Sequence, residues 1–297
     1  VGHLSGRGDR LSSKGRLETG AGNADIQLSK NGKNIQAKIA TKGIALDRIL
    51  ANKTFGQVAT TIEVKGNKDH LVAKGEISRF DYNKYSFRNI SLDGQYNHGI
   101  VKGLASIDDP NIRVDIEGNY AIKGNKYAIN THIDHLQPSI LGVKMADKDY
   151  SLDDIDLSAN NQSSDSYLDL EAPFMSLHAR GQYNLSTLVS SIQNMIAEKL
   201  PTLPGIKKTK AKGDNDFTLQ GNIYSTEVLN KILGIPLAIS SPIHINGNIS
   251  EQSNELNLYL SAPLFSYNGK PFHNGNVELT TLDNALNLEA RITQGMP

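Results

Sequence analysis

The chain has no cysteine and no tryptophan. The first absence excludes disulfides, thiolate zinc sites and a cysteine nucleophile. It suits an oxidising compartment or an exterior and is compatible with a reducing one. Aromatic residues make up only 6% and hydrophobic residues 38% of 297 positions, which is thin for a compact core of this length. It suits a sheet whose apolar side chains are small and aliphatic. Net charge is also missing: 31 Lys and Arg balance 31 Asp and Glu. No basic stripe stands out along the chain, which argues against a nucleic-acid partner. No run approaches the ~18 apolar residues of a membrane-spanning helix, and there is no signal-peptide pattern. The chain opens in mid-pattern at Val1-Gly2-His3-Leu4 and ends at Met296-Pro297 without a closing motif. We therefore expect a segment of a longer protein, with any membrane anchor outside it.

What is present is an alternation of apolar and polar residues that hardly stops. Ile35-Gln36-Ala37-Lys38-Ile39, Ile62-Glu63-Val64-Lys65, Ile112-Arg113-Val114-Asp115-Ile116 and Leu286-Asn287-Leu288-Glu289-Ala290-Arg291-Ile292 are clear cases. A period of two places one set of side chains on a dry face and the other in water. Charged residues at the outward positions read as a solvated face. Turn signals punctuate the pattern at Lys30-Asn31-Gly32, Lys65-Gly66-Asn67, Asp93-Gly94, Asn97-His98-Gly99, Asp108-Asp109-Pro110-Asn111, Lys123-Gly124-Asn125, Asn246-Gly247-Asn248 and Asn268-Gly269. Each supplies a positive φ or a preset bend. The expected fold is mainly β, a long antiparallel meander sheet of about 20 strands at ~4.8 Å spacing, curled into an open trough, with a few short helices.

The chain also repeats itself in order. Leu4-Ser5-Gly6-Arg7-Gly8 returns as Leu177-His178-Ala179-Arg180-Gly181, and Leu46-Asp47-Arg48-Ile49-Leu50 as Val228-Leu229-Asn230-Lys231-Ile232-Leu233. Ile62 to Asn67 returns as Ile243 to Asn248, and Phe80-Asp81-Tyr82-Asn83 with Phe87-Arg88-Asn89 as Phe265-Ser266-Tyr267-Asn268 with Phe272-His273-Asn274. These echoes divide the chain into a first repeat unit, 1–172, and a second, 173–297, of one continuous structure.

Three stretches break the period. Ala45 to Leu50 and Thr226 to Leu233 read as short helices, the second opened by Ser225 or Thr226 as N-cap. Asn184 to Leu200 carries apolar residues at helical spacing and is ended by Pro201 and Pro204. It reads as a helix that caps or covers the sheet. The run Lys207 to Lys212 reads as a solvated basic loop.

Catalytic and metal-binding patterns are weak. The eight histidines are scattered without a paired spacing. Asp108-Asp109-Pro110-Asn111 gathers two carboxylates, but a Pro-containing turn explains it better than a Ca²⁺ loop. Asp147, Asp149, Asp153, Asp154 and Asp156 lack EF-hand spacing and read as a solvated loop. There is neither a Gly-x-Ser-x-Gly elbow nor a phosphate-binding glycine loop. Arg7-Gly8-Asp9 spells an adhesive tripeptide whose Asp is not kept in its echo, Arg180-Gly181-Gln182. We expect neither enzyme chemistry nor a cofactor nor a bound metal.

One segment is more specific. Phe80-x-Tyr82-Asn83-x-Tyr85-x-Phe87-x-Asn89-Ile90-Ser91-Leu92-Asp93-Gly94-x-Tyr96 leads to Ser106-Ile107-Asp108-Asp109-Pro110-Asn111. Together with Leu46 to Leu50, it resembles the middle region of TamB-like proteins of the Bacteroidota, members of the AsmA-like translocation and assembly module proteins of Gram-negative envelopes. The specific motifs cover about residues 40 to 118. The resemblance implies a β-taco with an apolar interior in the periplasm, anchored in the inner membrane by a segment absent from this chain. It also implies phospholipid carriage toward the outer membrane, and an Omp85-type barrel as partner through regions outside this chain.

A groove of this kind would be lined by Ile26, Leu28, Ile62, Val64, Ile90, Leu92, Ile112, Val114, Ile116, Phe217, Leu219, Ile243, Ile245, Leu256, Leu258, Leu286, Leu288 and Ile292, with acyl chains as its ligand. Any of them also serves simply as packed core. Two other functions fit the alternation: a periplasmic scaffold that binds outer-membrane strands by edge augmentation, and a secreted β-repeat adhesin.

Overall fold

Alternation becomes strand along most of the chain. The structure, a computed structural model, describes residues 2–162, 166–184, 187–199, 209, 213–282 and 285–294. The fold is mainly β: among the described residues, twenty strands follow one another as an antiparallel meander that is not closed into a barrel, with three short helices. None of the described helices is long and apolar enough to cross a membrane. The chain divides into two compact units, Val1–Lys144 with Ser151–Asp153 and Met145–Tyr150 with Asp154–Pro297. The repeat boundary at 172/173 follows sequence echoes, and the compact units follow packing; the two divisions fall at different places.

In the first unit the strands are β1 (Gly2–Arg7), β2 (Arg10–Thr19), β3 (Gly22–Asn31), β4 (Asn34–Ala45), β5 (Phe55–Gly66), β6 (His70–Tyr82), β7 (Tyr85–Phe87), β8 (Ile90–Asn97), β9 (Ile100–Asp109), β10 (Ile112–Ala121) and β11 (Lys126–Leu136). Helix α1 (Leu46–Leu50) interrupts them after β4, and a 3₁₀ turn at Pro138–Leu141 follows β11. Most expected turns are turns. His98 and Gly99 both take positive φ (45° and 88°), as do Asn268 and Gly269 (50° and 73°), the pattern that matches hairpin twist.

Two expected turns are not turns. Asp93-Gly94 lies inside β8, and Asn246-Gly247-Asn248 lies inside a strand of the second unit, Ile243–Ser250. At Gly247 the reason is crowding across the ladder; at Gly94 a Cβ would meet nothing nearer than the Lys102 carbonyl oxygen at 3.8 Å, and only its partner Gly103 is close. A Cβ on Gly247 would stand 2.6 Å from the Asn257 carbonyl oxygen, and one on Gly103, the partner of Gly94, 3.3 Å from the Asp93 carbonyl oxygen. Glycine within a strand often marks such close backbone approach.

The second unit holds β12 (Leu152–Asn160), β13 (Tyr167–Ala172), β14 (Met175–Gln182), helix α2 (Leu188–Lys199), β15 (Asp216–Ile223), helix α3 (Glu227–Leu233), β16 (Leu237–Ile239), β17 (Ile243–Ser250), β18 (Glu255–Tyr267), β19 (Lys270–Leu282) and β20 (Ala285–Gln294). Thr226 holds the N-cap position of α3, yet its hydroxyl donates to the Leu237 carbonyl at 2.6 Å; the Ser225 hydroxyl accepts the Glu227 N–H at 3.2 Å. Leu185, Leu200, Pro201, Pro204, Met296, Pro297 and the basic run 207–212 apart from Thr209 lie outside the described residues.

The clearest echo is structural as well as sequential. Asn83 and Asn268 both open the hairpin turn (φ 48° and 50°), and Asn89 and Asn274 both adopt left-handed backbone (51° and 55°). Phe80 faces Phe87 as Phe265 faces Phe272. The Leu4–Gly8 echo, by contrast, occupies a different place in the strand order: β1 precedes α1 by four strands, whereas β14 precedes α3 by two.

The Asp108-Asp109-Pro110-Asn111 turn is a lock. Asp109 is 2% exposed. Its carboxylate accepts the Tyr85 hydroxyl, the Arg88 N–H at 3.1 Å and the Asn111 N–H at 3.0 Å. Burial, and then the bond to Asp109, push the Tyr85 phenol above its usual range. These bonds tie the β9–β10 turn to β7, beside a core of Phe87, Ile90, Ile112, Val114 and Ile140. Asp109→Ala leaves two N–H groups and a phenol unsatisfied, and should cost about 3 kcal/mol in urea unfolding. Asp108→Ala, at an exposed neighbouring position, should cost under about 0.5 kcal/mol. Equal losses would contradict the lock.

Candidate functional site

Antiparallel register decides which side chains share a face, and in the first unit the central rows continue from β2 to β11 between bulges near the strand ends. Gly15, Ile26, Ile39, Ile62, Gly75, Leu92, Ala105, Ile116 and Thr131 stand opposite one another from β2 to β11. The next row on the same face is Ser13, Leu28, Ala37, Val64, Ala73, Gly94, Gly103, Gly118 and Ile129. On one side lies a row of Thr60, Ile77, Ile90, Ile107, Val114 and Ile133. On the other lies Leu11, Lys30, Ile35, Gly66, Leu71, Tyr96, Val101, Tyr120 and Tyr127. Four rows at ~6.8 Å spacing make a strip about 20 Å wide.

The opposite face is ionic. Lys14, Gln27, Lys38, Glu63, Lys74, Asp93, Leu104, Glu117 and Asn130 form its central row. Lys38 meets Glu63 at 2.6 Å and Lys74 meets Asp93 at 2.9 Å. The Lys38 hydrogen bond holds the Glu63 carboxyl below its usual range. Such exposed pairs add little stability; they keep this face wet.

All nine residues expected to line a groove in this half lie on the apolar face, but not in one environment. Ile90, Ile112 and Val114 are buried in the Phe87 cluster and act as core. Ile26, Ile62 and Val64 are half-buried. Leu28, Leu92 and Ile116 are exposed, as are Leu4, Leu11, Ile35, Ile39 (41%), Val101 and Tyr120 on the same face. Sequence reasoning missed a further feature. Ala73, Gly94, Gly103 and Gly118 form a run of small residues flanked by Leu92 and Ile116 on one side and Tyr96, Val101 and Tyr120 on the other. The run is a shallow track on an apolar surface. It becomes visible only when register aligns the four positions.

The second unit repeats the arrangement. Leu170, Leu177, Gly221, Ile245, Leu260, Val277 and Ala290 share one row; Leu168, Ala179, Leu219, Gly247, Leu258, Leu279 and Leu288 share the next. Phe217, Ile249 and Leu256 align beside them. Phe217, Ile243, Ile245 and Leu256 are buried, Leu219, Leu258 and Leu286 are half-buried, and Leu288 is 66% exposed. Ile292 is exposed and sits at the irregularity between His273 and Asn276, outside the regular rows.

Helix α2 is held to strand ends of this unit by a buried polar knot. Asn215 donates to the Ser191 hydroxyl at 3.0 Å and to Glu251 Oε2 at 2.7 Å, and accepts the Asn184 N–H at 2.8 Å. Glu251 also accepts the N–H groups of Asn215 at 2.8 Å and Gly213 at 3.3 Å. Burial raises the Glu251 carboxyl, but the bonds from Ser191, Asn215 and Gly213 outweigh it and hold the group below its ordinary value of 4.5. Ser191 and Met195 are buried. The expected capping helix is thus tied down by polar bonds as well as by apolar packing. Of the acidic stretch, Asp147 pairs with Lys231 at 3.0 Å and Asp153 with His135 at 2.7 Å.

No family model, curated protein or solved structure matches the chain. The face itself therefore carries the functional argument.

The Glu251 knot has a pH signature. A carboxyl depressed by folding contributes stability that is full above its unfolded pKa and is lost as pH falls through the folded one. Stability should fall below about pH 4.5, and Glu251→Gln should flatten that limb while costing about 1–2 kcal/mol at neutral pH. Urea midpoints across acid pH check it; an unchanged acid limb in the variant would refute the assignment.

Proposed function

We propose that the apolar face is one wall of a hydrophobic groove that guides phospholipid acyl chains, without catalysis. The observation that carries this is the exposed half of the first unit's face. Ile39, Leu92, Ile116 and their row neighbours form a continuous apolar surface bounded on its reverse by an ion-pair ladder. Large contiguous apolar surfaces mark binding sites. The three rows outside the buried core span about 14 Å, which matches chains that fill one leaflet, about half of a ~30 Å hydrocarbon core.

Aliphatic and glycine rungs offer no strongly polar contact and therefore no deep well along the track. Each methylene moved from water onto such a surface gains about 0.8 kcal/mol, so acyl chains bind by area and slide at low cost. The resemblance of residues 40 to 118 to TamB-like envelope proteins supports the same reading. On that reading the chain works in the periplasm between the two membranes, with anchor and barrel partner supplied by segments beyond it.

The test is native mass spectrometry and lipid extraction on the chain expressed in a Gram-negative periplasm. Phospholipid should co-purify, and Leu92→Asp and Leu288→Asp should each lower it severalfold while leaving circular dichroism unchanged. Leu104→Asp, an exposed leucine on the ionic face, should leave loading intact. A folded, lipid-free chain would overturn the reading. Binding of unfolded outer-membrane strands in its place would favour edge augmentation.

A further inference from the structure

The first unit's apolar strip is not symmetric across its width. One border is closed: Phe87, Ile90, Ile112, Val114 and Ile140 are buried there, and the Asp109 lock seals the β9–β10 turn. The other border is the row that contains Lys30, Tyr96 and Tyr120. It leads directly to the turns at Gly8-Asp9, Gly32-Lys33, 67–69, His98-Gly99 and 122–125. In and beside those five turns stand Arg7, Arg10, Lys33, Lys68, Lys123 and Lys126, all exposed, against only Asp9 and Asp69. The order across the strip is therefore aliphatic and closed, then aliphatic and open, then tyrosine and lysine, then cationic. Tyrosine and snorkelling lysine are the side chains that bridge hydrocarbon and a polar headgroup layer. No single segment of this border is basic; the meander returns to the same border at every second turn and gathers these cations there.

Resting on the groove reading above, we infer that this border is a headgroup rail that orients each lipid and favours anionic phospholipids. Acyl ends point to the closed Phe87 border, and the phosphate travels past the cationic turns. Exposed cations at four of these five turns attract a negative headgroup without chelating it, so they bias which lipid enters while still letting it move. Charge complementarity to phosphate, next to a surface sized for acyl chains, selects a lipid over a free phosphate.

The experiment incubates the full chain with vesicles of equimolar phosphatidylglycerol and phosphatidylcholine, then quantifies bound lipid by mass spectrometry. The bound phosphatidylglycerol to phosphatidylcholine ratio should be about fivefold at low salt and fall toward one at high salt. Lys33→Gln/Lys68→Gln/Lys123→Gln should bring it toward one at low salt as well. Lys42→Gln/Lys53→Gln/Lys84→Gln, which removes the same three charges at the opposite border, should retain the preference. Lipid bound with a ratio near one in the native chain overturns the rail and leaves the groove standing. Absence of both lipids overturns the groove and the rail together. Loss of the preference in millimolar inorganic phosphate would identify a free-phosphate site and also overturn the rail.

Discussion

Strand register is the constraint on which everything else depends. A slip of one residue in any ladder would exchange the Ile39–Ile62–Leu92–Ile116 row for the Lys38–Glu63–Asp93–Glu117 row. The resulting patchwork would have neither a dry face nor an ionic one. The register persists through β2 to β11 although several ladders contain irregularities, as between Thr41 and Ile44 and between Ala59 and Thr60. Such bulges add local twist. The apolar rows resume in phase on the far side of each.

Holding that register takes more than the alternation. Cross-strand pairs contribute only tenths of a kcal/mol to about 1 kcal/mol each, and the exposed ion pairs add little. The stronger fixings are buried polar knots at strand ends. Asp109 fastens the turn between β9 and β10 to β7, and Glu251 with Asn215 fastens α2 to β15 and the end of β17. Each places a fully occupied carboxylate where a loop would otherwise be free to shift. Because these knots lie at strand ends, they leave the middle of each row to aliphatic side chains and glycine. In the first unit one border is pinned in this way and the rows beside it are mostly aliphatic side chains and glycine, which suits a ligand bound by area rather than by directional contacts.

Much of the fold was legible in the sequence, for a simple reason. Period-two alternation and short Asn-Gly or Pro-Asn turns are local signals, and a meander is built from local contacts. The short helices at Leu46–Leu50 and Glu227–Leu233 were legible for the same reason. Gly94 and Gly247 misled because glycine signals a turn only where φ is positive; neither has positive φ, and Gly247 in β17 serves close backbone approach. The sequence placed lining candidates on one face but did not separate buried Ile90, Ile112 and Val114 from exposed Leu28 and Leu92. That separation depends on Phe87 and Ile140 arriving from elsewhere. The Asp109 knot, the glycine track and the cationic border were not legible for a related reason. Each joins residues far apart in sequence, and the distances close only once the ladders are aligned.

The most direct measurement is site-specific photo-crosslinking along one strand pair. A benzophenone amino acid at Leu28 or Leu92 should capture phospholipid in a Gram-negative periplasm. The same probe at the neighbouring Gln27 or Asp93, one residue away and on the ionic face, should not. That contrast is what a single lipid-bearing face requires. Equal capture from both faces, or capture of protein alone from the apolar positions, would contradict it.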